Sequence, residues 1–180
     1  MSRMLKLCIT GLLLLVFSMP VLAEPRDPYQ YFFDQTLGDF GEELQRARDE
    51  GKQGVLLFFE MDECPFCARM KRDVLNRPRV QDYYREHFRI IPVDIEGDVE
   101  IVDFQGQSMA EKNFAFQVNR VRATPVFLFY TLDGEQVARY TGATSGIDEF
   151  LWLGEYVVQG VYRDMPFTRY KRVRRQQAEQ

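Results

Sequence analysis

The hydrophobic pattern divides the chain into segments with the periods of strands and helices. Short apolar runs bounded by turn residues predict buried strands, and apolar residues three and four apart predict amphipathic helices. Helices are predicted over 39–50, 64–75, 76–87, 108–118 and 147–158, and strands over 54–59, 88–95, 126–130 and 136–140. The alternation predicts a βαβ unit followed by an antiparallel hairpin, and hence an α/β fold with a central mixed sheet flanked by helices on both faces.

Local signals refine two of these boundaries and describe one strand and one connecting segment. Asn76 followed by Pro78 predicts a capped start for the short helix, and Ser108 with Glu111 three residues later fits a capping box. Pro92 lacks a backbone N–H, which predicts that one side of its strand is not fully paired. The acidic stretch between the second strand and the next helix is bounded by glycines and predicts a small hairpin.

The first 23 residues have the pattern of an export signal. Arg3 and Lys6 precede an apolar run, and Val-Leu-Ala at 21–23 offers small or apolar residues where signal peptidase cleaves. We expect cleavage after Ala23 and no stable membrane insertion afterwards, because the run is shorter than the ~20 residues that span a bilayer. An uncleaved membrane anchor is the alternative.

The rest of the chain has the length of one domain with extensions. Its aromatic-rich start is expected to be an extended arm that packs back on the domain through Tyr31, Phe32 and Phe33. The expected divisions are an arm over 24–35, a domain over 36–160 with an acidic insert over 96–107, and a basic tail over 161–180.

The charge distribution argues against nucleic acid as a partner. The chain has 23 Lys and Arg against 27 Asp and Glu, and two of the basic residues fall in the export signal, so the exported chain has a net charge of −6. A nucleic-acid-binding face is basic, whereas the body of this chain is acidic. We expect the basic tail to be mobile and solvated; contact with an acidic partner or an anionic membrane surface is the alternative.

The candidate chemistry lies where the first strand meets the following helix. Export leaves Cys64 and Cys67, because Cys8 lies within the signal. Two intervening residues in a first helical turn bring the sulfurs within disulfide reach, and the helix start favours the thiolate of Cys64. We predict that Cys64 attacks a substrate disulfide and Cys67 resolves the mixed disulfide. A structural staple is the alternative, although so short a loop stabilises little.

Few other residues offer chemistry. Glu60 ends the first strand and is a candidate for proton transfer with Cys67, its alternative being a solvated acid. We expect no metal, because one CxxC supplies two ligands and His87 is the only histidine. The acids over 94–100 alternate as in a calcium loop, but the required glycine and terminal acid are misplaced, so a solvated loop is expected. No bound cofactor is expected.

The segments FFEMDECPFCARM at 58–70 and ATP at 123–125, directly before the VFLFY strand, resemble the thioredoxin superfamily over residues 36–160. The resemblance is greatest to exported thioredoxins of the SoxW type, through the Asn-x-Pro-x-Val motif at 76–80 and VDI-x-GD at 93–98. It implies a thioredoxin fold with a cis Thr124–Pro125 bond facing the disulfide. It also implies a periplasmic thiol-disulfide oxidoreductase, linked to sulfur oxidation and kept reduced by a membrane-embedded electron donor. Substrate contacts are expected at Pro65, Phe66, Thr124 and Pro125.

The chain departs from ordinary thioredoxin beside the cysteines. The family's buried aspartate falls on Phe58, and its two active-site tryptophans fall on Glu60 and Glu63. Acids near Cys64 disfavour its thiolate, which makes a couple less oxidising and favours a reductase of protein disulfides. The alternatives are a disulfide oxidase or isomerase, and a redox-inert adaptor that binds peptides at Thr124 and Pro125.

Overall fold

A computed structural model describes residues 24–179. The expected export signal, with Cys8, lies outside the described residues. The helices are α1 (Pro28–Tyr31), α2 (Phe40–Asp49), α3 (Pro65–Met70), α4 (Pro78–His87), α5 (Glu111–Asn113), α6 (Ile147–Val158) and α7 (Phe167–Ala178). The strands are β1 (Gly54–Glu60), β2 (Phe88–Asp94), β3 (Glu100–Val102), β4 (Ser108–Ala110), β5 (Val126–Thr131) and β6 (Gln136–Thr141). Helices α3 and α5 continue as π-helical turns, Lys71–Leu75 and Phe114–Val118, and a 3₁₀ turn spans Val161–Arg163.

The main sheet has the order β2-β1-β5-β6, with β1 parallel to β2 and antiparallel to β5. This arrangement confirms the predicted mixed sheet. Pro92 lies on β2, which is an edge strand and tolerates a missing N–H, as predicted. The predicted hairpin forms a separate two-stranded antiparallel sheet, with β3 inside the acidic insert and β4 just after it, where a helix was predicted.

Strand β1 separates two hydrophobic cores, because its side chains alternate between the two faces of the sheet. Leu56 and Phe58 belong to the core that also contains Cys64 and Cys67. Val55, Leu57 and Phe59 belong to the core on the other face, which α2 and the α5 turn cover. The strand is buried on both sides, and this explains its nearly continuous apolar sequence.

The arm that precedes α2 is packed against the domain. Phe32 and Phe33 are buried, and the ring of Phe32 lies 5.8 Å from that of Tyr84. Asp34 continues the contact at the edge of the sheet, where its N–H donates to the Ile90 carbonyl at 2.8 Å. The expectation was wrong for Tyr31, whose side chain is 46% exposed.

Two predicted helix starts differ from the structure. Asn76 does not cap α4; the helix begins at Pro78 after Arg77, which provides no side-chain cap. Ser108 is not a cap either, because it pairs with Val102 in the hairpin and its hydroxyl donates to Glu100 at 2.8 Å. Ser108 is part of strand β4 and is therefore not available as a helix cap. Helix α5 begins at Glu111 instead.

The basic tail is helical, not mobile, which corrects the sequence prediction. Its apolar residues recur at helical spacing and pack on α6, where the ring of Tyr170 lies 5.6 Å from that of Tyr156. Lys171 also forms an ion pair with Glu149 at 2.7 Å. Carboxylates on α6 form ion pairs with basic residues on one face of α7. The sequence of the tail by itself gives no sign of these partners. No helix among residues 24–179 has the length and apolar character needed to cross a membrane.

Candidate functional site

The two cysteines form a disulfide at the start of α3. Cys64 is the N-cap, with extended backbone, and Pro65 occupies the first turn of the helix. The two Cα atoms are 5.2 Å apart, and the Cys67 N–H points at the Cys64 Sγ at 3.0 Å. A backbone N–H aimed at this sulfur stabilises negative charge on it once the disulfide is reduced. The side chains are 5% exposed at Cys64 and 1% at Cys67, so Cys64 is the more accessible sulfur.

The loop before β5 lies at the same end of the sheet as the cysteines. The bond between Thr124 and Pro125 is cis. Because Phe59 pairs with Val126, Pro125 lies level with the end of β1, where the chain leaves the sheet toward Cys64. The Thr124 hydroxyl is buried without a hydrogen-bond partner among the described residues.

A third loop completes this end of the sheet. The Gly142 N–H donates to the Pro125 carbonyl at 2.8 Å, which joins the loop after β6 to the loop before β5. The Thr144 hydroxyl lies 3.6 Å from the sulfur of Met70, so the same loop also contacts α3. Three loops therefore frame one surface around the disulfide: the loop between β1 and α3, the loop before β5 and the loop after β6.

The sequence-predicted contact residues differ in exposure on this surface. Phe66 lies between the two cysteines in the sequence and is 56% exposed, and the Arg69 guanidinium lies 5.3 Å from the centre of its ring. Pro65 is also exposed, whereas Pro125 is buried and Thr124 is half-buried. An exposed aromatic side chain beside a reactive sulfur provides apolar contact area for a polypeptide.

Glu60 is neither free nor fully solvated. Its side chain is 13% exposed, and Lys71 Nζ donates to its Oε2 at 2.7 Å. The Tyr29 hydroxyl lies 3.1 Å from its Oε1, and Lys71 Nζ also donates to that hydroxyl at 2.7 Å. The three side chains form a closed hydrogen-bonded ring, so the solvated alternative for Glu60 is wrong.

Burial and hydrogen bonds together set the charges in this ring. Burial by itself would lower the pKa of Lys71, but the hydrogen bonds with Glu60 and Tyr29 outweigh it and raise the pKa. Burial raises the pKa of Tyr29, and the hydrogen bond from Lys71 opposes that rise without cancelling it. At neutral pH the ring therefore holds a lysine ammonium and an uncharged tyrosine.

Sequence reasoning missed Tyr29 and Lys71. Lys71 carried a weak signal, because it lies four residues after Cys67 and opposite in charge to the strand-end acid. Tyr29 carried none, because its contact depends on how the arm docks. Both line a cavity of about 300 Å³, with Glu60, Met61, Asp62, Pro92, Asp94 and Glu111.

This cavity is acidic. Burial raises the pKa of Glu111, the Asp94 N–H opposes that rise, and the nearby Asp94 carboxylate adds to it. Within residues 24–179, no three His, Cys, Asp or Glu side chains are arranged to hold a metal ion.

Comparisons with known proteins agree with this geometry. Among solved structures, a thioredoxin-fold protein from Helicobacter pylori is 24% identical, with a TM-score of 0.55 over 67% of this chain and 83% of that one. A putative disulphide-isomerase from Bacteroides thetaiotaomicron is 25% identical, with a TM-score of 0.55 over 77% of this chain and 97% of that one. A thioredoxin from Thermus thermophilus is 27% identical, with a TM-score of 0.52 over 65% of this chain and 82% of that one. No curated protein matches the chain.

A family profile described as the thioredoxin-like domain matches residues 40–158. The match spans the main sheet, the cysteine pair and the loop before β5, and it ends before α7. With its mixed sheet and its disulfide at a helix start, the chain belongs to the thioredoxin-like domain family.

Proposed function

We propose that this chain is a thiol-disulfide oxidoreductase that reduces protein disulfides through Cys64 and Cys67. The observation that carries the proposal is the disulfide at the start of α3, within a thioredoxin-like fold, with its more accessible sulfur at the helix N-cap. The similarity to a thioredoxin and to a putative disulphide-isomerase supports the same reaction class.

The reaction uses the two sulfurs in order. In the reduced protein the Cys64 thiolate attacks a substrate disulfide, and the displaced substrate sulfur leaves as a thiolate and takes up a proton. Cys67 then loses its proton and attacks Cys64 Sγ, which releases the second substrate sulfur. The substrate gains two electrons and two protons, and the Cys64–Cys67 disulfide forms. A dithiol donor must return the protein to its reduced form.

The charges near the cysteines favour reduction over oxidation. Asp62 and Glu63 lie just before Cys64 on an exposed loop. Their negative charge opposes the thiolate that the helix start favours, which lowers the oxidising power of the couple. Screening of exposed charges makes this effect small. An oxidase or isomerase is the alternative within the same reaction class.

The substrate site that we propose is the surface framed by the three loops. An extended polypeptide can add to the backbone beside Thr124 and Pro125, while Pro65 and Phe66 contact it next to Cys64. The openness of Phe66 and the position of Pro125 level with the end of β1 support this assignment.

The cellular setting is proposed from the sequence. The N-terminal pattern supports export to the periplasm, and the resemblance to SoxW-type thioredoxins supports a membrane-embedded electron donor and a link to sulfur oxidation. The chain divisions at 24–35, 36–160 and 161–180 belong to the same proposal.

Two cysteine variants test the proposal. Cys64→Ser should abolish reduction of a protein disulfide, and Cys67→Ser should accumulate covalent mixed disulfides with substrate proteins. Full activity in the Cys64 variant would overturn the proposal. A Cys67 variant that traps nothing would indicate the redox-inert adaptor instead. The reduction potential then assigns direction, since a value near ~−270 mV indicates a reductase and one near ~−120 mV an oxidase.

A further inference from the structure

The family match begins at residue 40, yet a residue of the preceding arm contacts the surroundings of the disulfide. Tyr29 lies on α1, and its hydroxyl is 3.1 Å from Glu60 Oε1 and 2.7 Å from Lys71 Nζ. The Lys71 ammonium also lies 4.9 Å from the centre of the Tyr29 ring. The arm, the end of β1 and the helix that carries the cysteines thus meet in one cluster.

The cluster lies on the cysteine side of the sheet. Alternation along β1 places Glu60 on the same face as Leu56 and Phe58, which share a core with both cysteines. Lys71 follows Cys67 by four residues in the helical segment, and side chains with this spacing are neighbours, with Cβ atoms ~5–6 Å apart. Lys71 is therefore a neighbour of Cys67 along the helix and the ion-pair partner of Glu60 at 2.7 Å.

Acidic groups face the cluster from the cavity of about 300 Å³, whereas Arg26, Asp27 and Arg72 face Tyr29 and Lys71 from a second cavity. Asp62 approaches from the loop after β1, Asp94 from the end of β2 and Glu111 from the start of α5. Of the residues that line this cavity, Lys71 is the only cation. Its removal would leave the carboxylates of this cavity without a cation among the lining residues.

We propose that Tyr29, Glu60 and Lys71 are positioning residues that control the ionisation of Cys67. The Lys71 ammonium stabilises the Cys67 thiolate that forms when the mixed disulfide is resolved. The Tyr29 hydroxyl, which accepts a hydrogen bond from Lys71, holds the ammonium in place, and Glu60 opposes the thiolate by its own charge. This inference rests on the proposed function, because it concerns the second step of that reaction.

The inference gives Glu60 a role different from that of a proton carrier. A proton carrier speeds resolution, so its loss slows that step. An opposing charge slows resolution, so its loss speeds that step. Glu60→Gln therefore separates the two roles by the sign of its effect.

The two steps can be observed separately with a small aromatic disulfide that releases a coloured thiolate. The reduced protein releases one coloured thiolate when Cys64 attacks and a second when Cys67 resolves, and stopped-flow absorbance follows both phases as a function of pH. A wild-type protein without the first phase contradicts the proposed function. The further inference is judged on the second phase alone.

The expected changes have opposite signs. Lys71→Met should slow the second phase about tenfold at neutral pH, the effect of one unit in the thiol pKa, and the difference should vanish above that pKa. Glu60→Gln should speed the second phase, and the double variant should return close to wild type. Lys71→Arg, which keeps the charge, should restore the rate.

The role of the arm is tested with a matched pair. Tyr29→Phe removes one hydroxyl and should slow the second phase about threefold, within the range of one hydrogen bond. Tyr31→Phe, on the same arm and as exposed as Tyr29 but outside the ring of Tyr29, Glu60 and Lys71, should change neither phase. Unchanged pH profiles in Lys71→Met and Tyr29→Phe, or changes of the same sign in Lys71→Met and Glu60→Gln, would overturn the inference.

Discussion

Arg89 is the residue whose loss is expected to destabilise the protein most among the charged side chains. It lies on the edge strand β2 with its side chain 10% exposed, and its guanidinium donates to Glu43 Oε2 at 2.7 and 2.9 Å. It also lies 3.5 Å from Asp34 of the arm and donates to the Gln35 carbonyl at 3.1 Å. One cation thus joins the arm, helix α2 and the sheet.

The magnitude follows from the burial of the partners. The Glu43 side chain is 1% exposed and that of Asp34 5% exposed, so Arg89→Met leaves two carboxylates buried beside an apolar side chain. Breaking a buried ion pair by removing one partner costs ~3–5 kcal/mol. For a protein of this size that loss lowers the melting temperature by roughly 10 °C.

Urea unfolding and thermal melts at pH 7 measure the effect, with Arg79→Met as the control. Arg79 also pairs with a carboxylate, but the side chains of that pair are 72% and 67% exposed, so its loss should cost less than ~1 kcal/mol. Glu43→Gln in the Arg89→Met background should recover part of the stability, because it removes a buried charge that keeps only the partly exposed Arg46 as its partner. If Arg89→Met and Arg79→Met lowered the free energy of unfolding by the same amount, the reasoning from burial would be refuted.

Two further predictions concern the sheet and the C-terminal helix. A Cβ on Gly54 would lie 1.9 Å from the Tyr130 carbonyl oxygen, so Gly54→Ala should destabilise the protein by ~1–3 kcal/mol in urea unfolding. The Cβ of Gly146→Ala meets nothing within 4 Å, so this variant should cost less, and only the position of Gly146 at the N-cap of α6 disfavours alanine there. Burial alone would raise the pKa of Glu149, but hydrogen bonds led by that from Lys171 lower it. The resulting stability is present above the unfolded-state pKa and is lost as pH falls through the folded-state pKa, so Lys171→Met should show less loss than wild type in urea unfolding between pH 6 and pH 3.

The sheet and the cysteine pair could be predicted because their signals are local. The apolar run of β1 and the CxxC spacing are both read within a few residues, and both agree with the structure. The hairpin of β5 and β6 carried an equally local turn signal.

The features that the sequence analysis missed depend on distant partners. Ser108 had a valid capping pattern, but pairing with β3 prevailed over it. The tail was predicted to be solvated because its sequence shows no partner for its basic residues. The carboxylate that pairs with Lys171 lies 22 residues away on α6. Tyr29 lies 31 residues from Glu60, and no local pattern connects them. Tertiary contacts decided each of these cases.

The arm also explains how this chain departs from ordinary thioredoxin beside the cysteines. The position of the family's buried aspartate is Phe58, and the ring of Phe33 from the arm lies 5.4 Å from it. A carboxylate there would be buried among aromatic rings without a partner, at a large free-energy cost.

The carboxylate on that face of β1 stands two residues later, at Glu60, where the arm also supplies the Tyr29 hydroxyl. The same arm therefore packs an aromatic ring against Phe58 and donates a hydrogen bond to Glu60. Because both contacts come from residues outside the family match, a chain that lacked residues 24–35 would expose Phe58 and lose the hydroxyl at Glu60 together. The domain and its arm consequently function as one redox unit in the mechanism that we propose.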